Sequence, residues 1–122
     1  MRVNRDTRGR SYYNIVDQVG QTDVSINYPG VIRAFHQHLQ KEEIWFFIQG
    51  HFKVVLTDPL EVLYLGEGEQ VLIERGRWHG FQVLGHEMGI MIEYSKEKFN
   101  VETPDDFRKP YDEFDKWEIE KK

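Results

Sequence analysis

Short apolar segments separated by turn-forming residues run through most of this 122-residue chain. Turn signals such as Tyr28-Pro29-Gly30 and Asp58-Pro59 separate the segments, and nothing in the sequence has the spacing of a helix of three or more turns. The predicted strands are Tyr12–Val16, Val24–Ile26, Ile32–His38, Ile44–Ile48, Phe52–Thr57, Glu61–Leu65, Gln70–Ile73, Gly80–Leu84 and Gly89–Tyr94. Many short strands at this spacing predict an all-β sandwich or small barrel.

The length fits a single domain over residues 1–122. We expect a barrel over about residues 12–94 and a C-terminal extension over residues 95–122. Within that extension, residues 103–106 predict one short helical turn, because threonine caps helices and proline is tolerated at their first position.

Composition excludes several kinds of site and partner. The chain has no cysteine, which rules out disulfides, thiolate metal sites and thiol nucleophiles. The net charge of −5 argues against a nucleic-acid backbone as partner. The longest apolar run, Ile44–Ile48, is far below the roughly 20 residues of a membrane span, and residues 1–10 are polar with no signal-like apolar region. A cytoplasmic location is therefore expected, with no membrane partner.

Strand alternation places several polar side chains on shared faces. His36 and His38 are two residues apart on one predicted strand, and Glu43, Trp45 and Phe47 share one face of the next strand. Two histidines and a carboxylate inside a barrel would need partners, because buried polar groups are costly when they are unpaired. This arrangement therefore indicates a functional site.

Four residues form a candidate metal-ligand set: His36, His38, Glu43 and His79. Three imidazoles and one carboxylate suit a divalent transition metal such as zinc, manganese, iron or nickel, with positions left open for water or substrate. The alternative is that the histidines are hydrogen-bonded core residues, or that they act on a substrate without metal. His51 and His86 adjoin turn glycines and are predicted to be surface residues.

The spacing around these residues resembles the cupin superfamily. Five residues separate Gly30 from His36, and one separates His36 from His38. Four residues separate His38 from Glu43, and six separate Glu43 from Gly50. The stretch from Gly68 to His79 resembles the second cupin motif, although Glu74 replaces its usual proline and Val83 a usual asparagine. The resemblance implies a small single-domain jelly-roll barrel.

Three stretches resemble one cupin branch, the deoxythymidine-diphosphate-4-dehydrorhamnose 3,5-epimerases. They are Asp6-Thr7-Arg8-Gly9, the segment from Gly30 to His36, and the segment from His79 to Leu84. The resemblance implies a nucleotide-linked 4-keto-6-deoxy sugar as substrate. It also implies a homodimer that pairs through an N-terminal strand, since an edge strand there needs covering.

The same resemblance implies roles for individual residues. His36 matches the base that removes the proton next to the ketone, and Tyr94 matches the tyrosine that returns one. Arg8 and Arg33 match the arginines that bind the diphosphate, and Arg77 is a third candidate for substrate binding. Arg33 and His36 have opposite parity on a regular strand, so a β-bulge between them is needed if both face the site.

Two departures from the epimerases change the expected chemistry. Glu43 replaces the lysine that steadies the enolate, and His38 replaces a glutamine. Both substitutions complete the metal-ligand set, so a metal would replace the lysine as the group that polarises the ketone. His36 then is either a ligand or the base. A metal-dependent dioxygenase or lyase acting on a small acid, and a non-catalytic sugar-binding module, remain as alternatives.

Overall fold

The computed structural model describes residues 2–97, 105, 107 and 108. Within them the chain forms β-strands and a single turn of 3₁₀ helix at Asp17–Val19. The strands are β1 (Arg2–Asp6), β2 (Gly9–Tyr13), β3 (Gln21–Asn27), β4 (Ile32–Gln37), β5 (Glu43–Gln49), β6 (His51–Leu56), β7 (Glu61–Gly66), β8 (Gln70–Ile73), β9 (His79–Leu84), β10 (Gly89–Ser95) and β11 (Phe107–Arg108). No helix in this part of the chain is long and apolar enough to cross a membrane.

The strands build two antiparallel sheets, which confirms the all-β prediction. One sheet has the order β1-β2-β3-β10-β5-β8, and the other has the order β11-β4-β9-β6-β7. Strands that follow one another in the chain often lie in different sheets, as β3 and β4 do and as β4 and β5 do. The chain therefore joins the two layers repeatedly, and residues from distant segments meet between them.

The apolar core lies between the two sheets. Its aromatic centre consists of Trp45, Phe47, Phe52 and Phe81, each at most 2% exposed. The Trp45 ring packs edge-on against Phe81 on one side and against the imidazole of His79 on the other, with centroid separations of 5.5 and 5.4 Å. Trp45 thus lies at the boundary between the apolar core and a cluster of histidines.

The first two strands differ most from the sequence prediction. β1 was not predicted at all, and the sheet begins at Arg2 rather than near Tyr12. Every residue of β1 is exposed, so this strand has no apolar period and is held through its pairing with β2. Gly9 begins β2 with φ of +141°, and a Cβ there would lie 1.9 Å from the carbonyl oxygen of Ile26. The predicted helical turn at residues 103–106 lies outside the described residues except for Asp105.

β4 contains the β-bulge that Arg33 and His36 need if both are to face the site. Arg33 pairs with Phe81 and His36 pairs with His79, and the register of β4 against β9 shifts between these two pairs. Between these two pairs, two residues of β4 therefore lie opposite a single residue of β9. Because Phe81 and His79 are both buried in the interior, the bulge directs Arg33 and His36 to the same inner face.

Candidate metal centre

Three histidines meet at one end of the interior. His36 lies on β4, His38 directly follows β4, and His79 begins β9. One ring nitrogen from each of the three lies within 4.8 Å of the others. The fourth predicted ligand, Glu43, arrives from β5 in the opposite sheet. Its Oε1 atom is 3.2 Å from His38 Nε2 and 3.4 Å from His79 Nε2.

Backbone carbonyl groups orient two of the imidazoles. His38 Nδ1 donates a hydrogen bond to the carbonyl oxygen of Asp105 at 2.5 Å, and His79 Nδ1 donates to that of Arg77 at 2.9 Å. A carbonyl oxygen only accepts, so Nδ1 carries the proton in both rings. In the neutral rings Nε2 then holds a lone pair that points toward Glu43. This is the arrangement that orients histidine ligands in metal proteins.

The atoms that face one another here are mostly acceptors. His38 Nε2, His79 Nε2 and Glu43 Oε1 are all buried, and none has a well-formed hydrogen bond to a described residue. Acceptors in such proximity repel unless a proton or a cation lies between them. Two donor atoms that each bind one ion at about 2.1 Å are roughly 3.0–3.4 Å apart, which matches the two Glu43 distances. The residues present therefore fit a divalent transition metal.

The charges at this centre favour cations. Burial alone would raise the pKa of Glu43, but the adjacent His38 and His79 hold it well below its usual range. Burial alone would lower the pKa of His38, but the Glu43 carboxylate outweighs burial and raises it. A proton on His38 is thus favoured when no metal is bound, and a metal ion would displace that proton.

A second set of charged groups adjoins the centre and was not predicted from the sequence. Glu93 on β10 pairs with Asp23 on β3, and both face the interior. Lys41 Nζ lies 3.9 Å from Glu43 Oε2. Burial, together with the charges of Glu43 and Asp23, raises the pKa of Glu93 to about 8. The available sequence signal was a single acidic residue within the apolar strand Gly89–Ser95.

Two of the predicted substrate-binding arginines lie near one another. The Arg33 Nε atom donates a 2.5 Å hydrogen bond to Asn27 Oδ1, and burial lowers the pKa of Arg33. Arg8 is 44% exposed in its side chain and forms an ion pair with Asp6, with 2.6 Å between Nη2 and Oδ2. The hydrogen bond from Arg8 holds the pKa of Asp6 far below its usual range, and the charge of Arg33 acts on Asp6 in the same direction.

Arg77, the third arginine predicted to bind substrate, is engaged in contacts within the fold. Its side chain is 8% exposed and forms a 2.8 Å ion pair with Glu61. It also donates hydrogen bonds to the carbonyl oxygens of Thr57 and Pro59. Arg77 therefore ties down the connection between β6 and β7, and its donors already have partners.

Tyr94, the residue predicted to return a proton, lies on the face of β10 opposite to that of Glu93. It pairs with Ile44, which is 37% exposed on the outer face of the sheet. The preceding residue, Glu93, pairs with the fully buried Trp45. Side chains alternate along a strand, so Glu93 and Tyr94 point to opposite faces. His51 and His86 are exposed, as predicted.

Solved structures identify the fold class. The chain superposes on the capsular polysaccharide assembling protein CapF of Staphylococcus aureus with a TM-score of 0.80 and 25% identity, covering 88% of this chain and 31% of CapF. Oxalate decarboxylase of Lactobacillus farciminis has a TM-score of 0.75 at 21% identity, covering 96% of this chain and 34% of the enzyme, and shares the fold. The protein is a small cupin barrel whose histidine cluster can hold a metal ion.

Two sequence relatives define the family. The chain is 38% identical over 111 residues to the spore coat polysaccharide biosynthesis protein SpsL of Bacillus subtilis, covering 82% of this chain and 74% of SpsL. It is 31% identical over 133 residues to a probable low-salt glycan biosynthesis epimerase, Agl13 of Haloferax volcanii, covering 92% of this chain and 84% of Agl13. The chain matches no protein-family model. It belongs to the cupin family of sugar-biosynthesis proteins that includes SpsL and Agl13.

Proposed function

We propose that this protein is a metal-dependent epimerase or isomerase of a nucleotide-linked keto-deoxy sugar in carbohydrate biosynthesis. The observation that carries the proposal is the shared inner face of Arg33 and the three histidines. That face presents a cationic side chain and a candidate metal centre to one ligand. The relationship to Agl13, a probable glycan biosynthesis epimerase, supports a sugar substrate.

The donor set suits the chemistry of a ketone. A divalent ion held by His36, His38, His79 and Glu43 would supply a Lewis acid for the ketone oxygen. Arg33 would bind an anionic phosphate, and Arg8 would join it from the exposed end of the site. His36 is assigned here as a ligand, because its ring lies 4.4 Å from that of His79 and 5.2 Å from that of His38.

The primary test follows the protons next to the ketone. A deoxythymidine-diphosphate 4-keto-6-deoxy sugar is incubated in heavy water with metal-loaded protein, and deuterium uptake is followed by NMR. We expect uptake that a chelator abolishes and added metal restores. Absence of uptake from any such sugar in the metal-loaded protein would contradict the proposal. Oxygen consumption by an iron-loaded sample would favour the dioxygenase alternative, and tight binding without turnover would favour a binding module.

A second test addresses the phosphate contact. Arg33→Gln should weaken binding of deoxythymidine diphosphate about 10- to 100-fold, since it removes a charge-assisted contact worth roughly 1.5–3 kcal/mol. Arg10→Gln is the matched control, because Arg10 is an exposed arginine on β2. Equal affinity of both variants would refute the assignment of Arg33, while leaving the metal centre to be judged separately by elemental analysis.

We also propose that the protein is a homodimer that pairs through β1. This strand forms the edge of the six-stranded sheet, and each of its residues is exposed. An uncovered edge is a template for pairing with another strand. On the outer face of the same sheet, Ile44, Phe46 and Ile48 are 37–39% exposed. Sedimentation equilibrium should yield twice the chain mass, and a monomer at 100 µM would contradict the pairing.

A further inference from the structure

Glu93 lies on the inner face beside the candidate metal centre. It pairs with Trp45 on β5 and with Asp23 on β3. Trp45 is 1% exposed and shares its face with Glu43, which precedes it by two residues. Glu93 and Glu43 are therefore diagonal neighbours on adjacent strands, and such positions are about 7 Å apart. This register places the Glu93 side chain on the same inner face as the predicted metal ligand Glu43.

The carboxyl group of Glu93 is not engaged in holding the fold together. Among the described residues it has no hydrogen-bond or ion-pair partner and only longer-range charge interactions, and its side chain is partly buried. The neighbouring Asp23 carboxylate, in contrast, accepts hydrogen bonds from the Asn14 backbone at 2.9 Å and from the Gln21 side chain at 2.7 Å. An unpartnered carboxyl group in the interior is costly to the fold, which points to a functional reason for its presence.

Charges of both signs surround Glu93. The negatively charged neighbours, Asp23 on β3 and Glu43 on β5, raise the pKa of Glu93. The positively charged neighbours, Lys41 before β5 and Arg33 on β4, lower it. Arg33 belongs to the opposite sheet, so Glu93 faces the arginine across the interior. If a ligand placed its phosphate at Arg33 and its ketone at the histidines, Glu93 would lie beside the part of the ligand between these two groups.

The groups expected to move protons are engaged elsewhere. His36 belongs to the histidine cluster, where its lone pair would bind the proposed metal ion, and Tyr94 points to the outer face of the sheet. The reaction in the proposed function nevertheless requires a base beside the carbon next to the ketone. We propose that Glu93 is that base, an inference that rests on the proposed function.

The proton balance of the step is as follows. The Glu93 carboxylate takes the proton from the carbon adjacent to the ketone, and the electrons of the broken C–H bond form the carbon–carbon double bond of an enolate. The negative charge of the enolate oxygen is directed toward the cationic end of the site. Water on the opposite face of the sugar returns a proton to the carbon, which leaves the inverted epimer. Glu93 then releases its proton to solvent.

The acid–base properties of Glu93 suit this role. With a pKa raised to about 8 by burial and by Glu43 and Asp23, it is a stronger base than an ordinary carboxylate. A bound divalent cation would lower this pKa toward neutrality. A base whose pKa lies near the working pH is deprotonated in a substantial fraction of the molecules and still has a high affinity for a proton.

The experiment compares three variants with the wild-type protein in the heavy-water assay, with the deoxythymidine-diphosphate 4-keto-6-deoxy sugar as substrate. Glu93→Gln should slow deuterium uptake at least 100-fold, in line with the usual 10²–10⁴-fold contribution of a general base. Glu93→Asp keeps a carboxyl group on a shorter side chain and should recover part of the rate. Glu87→Gln is the matched control, because Glu87 is exposed between β9 and β10. Metal content and affinity for deoxythymidine diphosphate should be unchanged in all three.

The outcomes separate this inference from the proposed function. Uptake by Glu93→Gln within threefold of the wild-type rate would overturn the role of Glu93 and leave the epimerase proposal intact. Loss of metal in Glu93→Gln would show that the residue supports the metal centre, and it would also overturn the inference. If Glu93→Gln fails to fold, Glu93→Asp decides the matter, since a wild-type rate and pH profile in that variant would argue against a placed base. Wild-type protein that exchanges no proton would overturn both proposals.

Discussion

The unpartnered Glu93 carboxyl group should make the metal-free protein less stable as the pH rises. The pKa of Glu93 is about 8 in the folded protein and 4.5 for an ordinary glutamate. Between these two values the folded chain keeps a proton that the unfolded chain has released. The free energy of unfolding therefore falls with increasing pH, by up to about 1.4 kcal/mol per pH unit. From pH 5 to pH 8 the loss amounts to roughly 4 kcal/mol.

Glu93→Gln removes this contribution, because an amide does not ionise. The variant should match the wild type near pH 5 and exceed its stability by roughly 2–4 kcal/mol at pH 8. Asp23, Glu43, Lys41 and Arg33 remain in both proteins, so their own titrations largely cancel in the difference.

Urea unfolding of the chelator-treated proteins at pH 5, 6.5 and 8 measures this difference through tryptophan fluorescence, since Trp45 is buried against His79. The exposed substitution Glu87→Gln should follow the wild-type curve at every pH. A constant difference between Glu93→Gln and wild type over the whole range would refute the reasoning, because it would mean that Glu93 ionises equally in both states.

Four further outcomes follow from the contacts at the site. His38→Ala and His79→Ala should each lose bound metal by elemental analysis, whereas His51→Ala should keep it, because His51 is exposed and distant from the cluster. The dissociation constant for metal should increase about tenfold for each pH unit below the raised pKa of His38, because one proton competes for Nε2; a flat titration profile would contradict this. Arg77→Ala should cost about 2–4 kcal/mol in urea unfolding, since it removes two charge-assisted hydrogen bonds and the ion pair with Glu61, with unchanged nucleotide affinity. Tyr94→Phe should exchange substrate protons at the wild-type rate; a tenfold loss would place its hydroxyl in the site after all.

Local periodicity explains the parts of the site that the sequence revealed. A strand repeats every two residues, so His36 and His38 were expected on one face, and so were Glu43 and Trp45. By the same parity argument, Arg33 and His36 can share a face only if a bulge lies between them, and the structure contains this register shift. These features depend on neighbours along the chain, which is why the sequence was sufficient to predict them.

Other features lacked any local signal. β1 is polar and fully exposed, so no apolar period marked it as a strand. In the segment Ile90-Met91-Ile92 every residue is apolar, so parity could not show which face of β10 points inward. The outward position of Tyr94 and the inward position of Glu93 became evident only from the pairing of β10 with β5.

By itself, the sequence determined an all-β chain with two histidines in register, because strand geometry and turn chemistry act over a few residues. Only the tertiary structure decided that Glu43 meets His38 and His79 at 3.2 and 3.4 Å, since these residues come from facing sheets. The tertiary structure also decided that Arg77 forms an ion pair with Glu61. Such contacts depend on how the two sheets close on each other, and that closure results from the packing of the whole core rather than from any single segment.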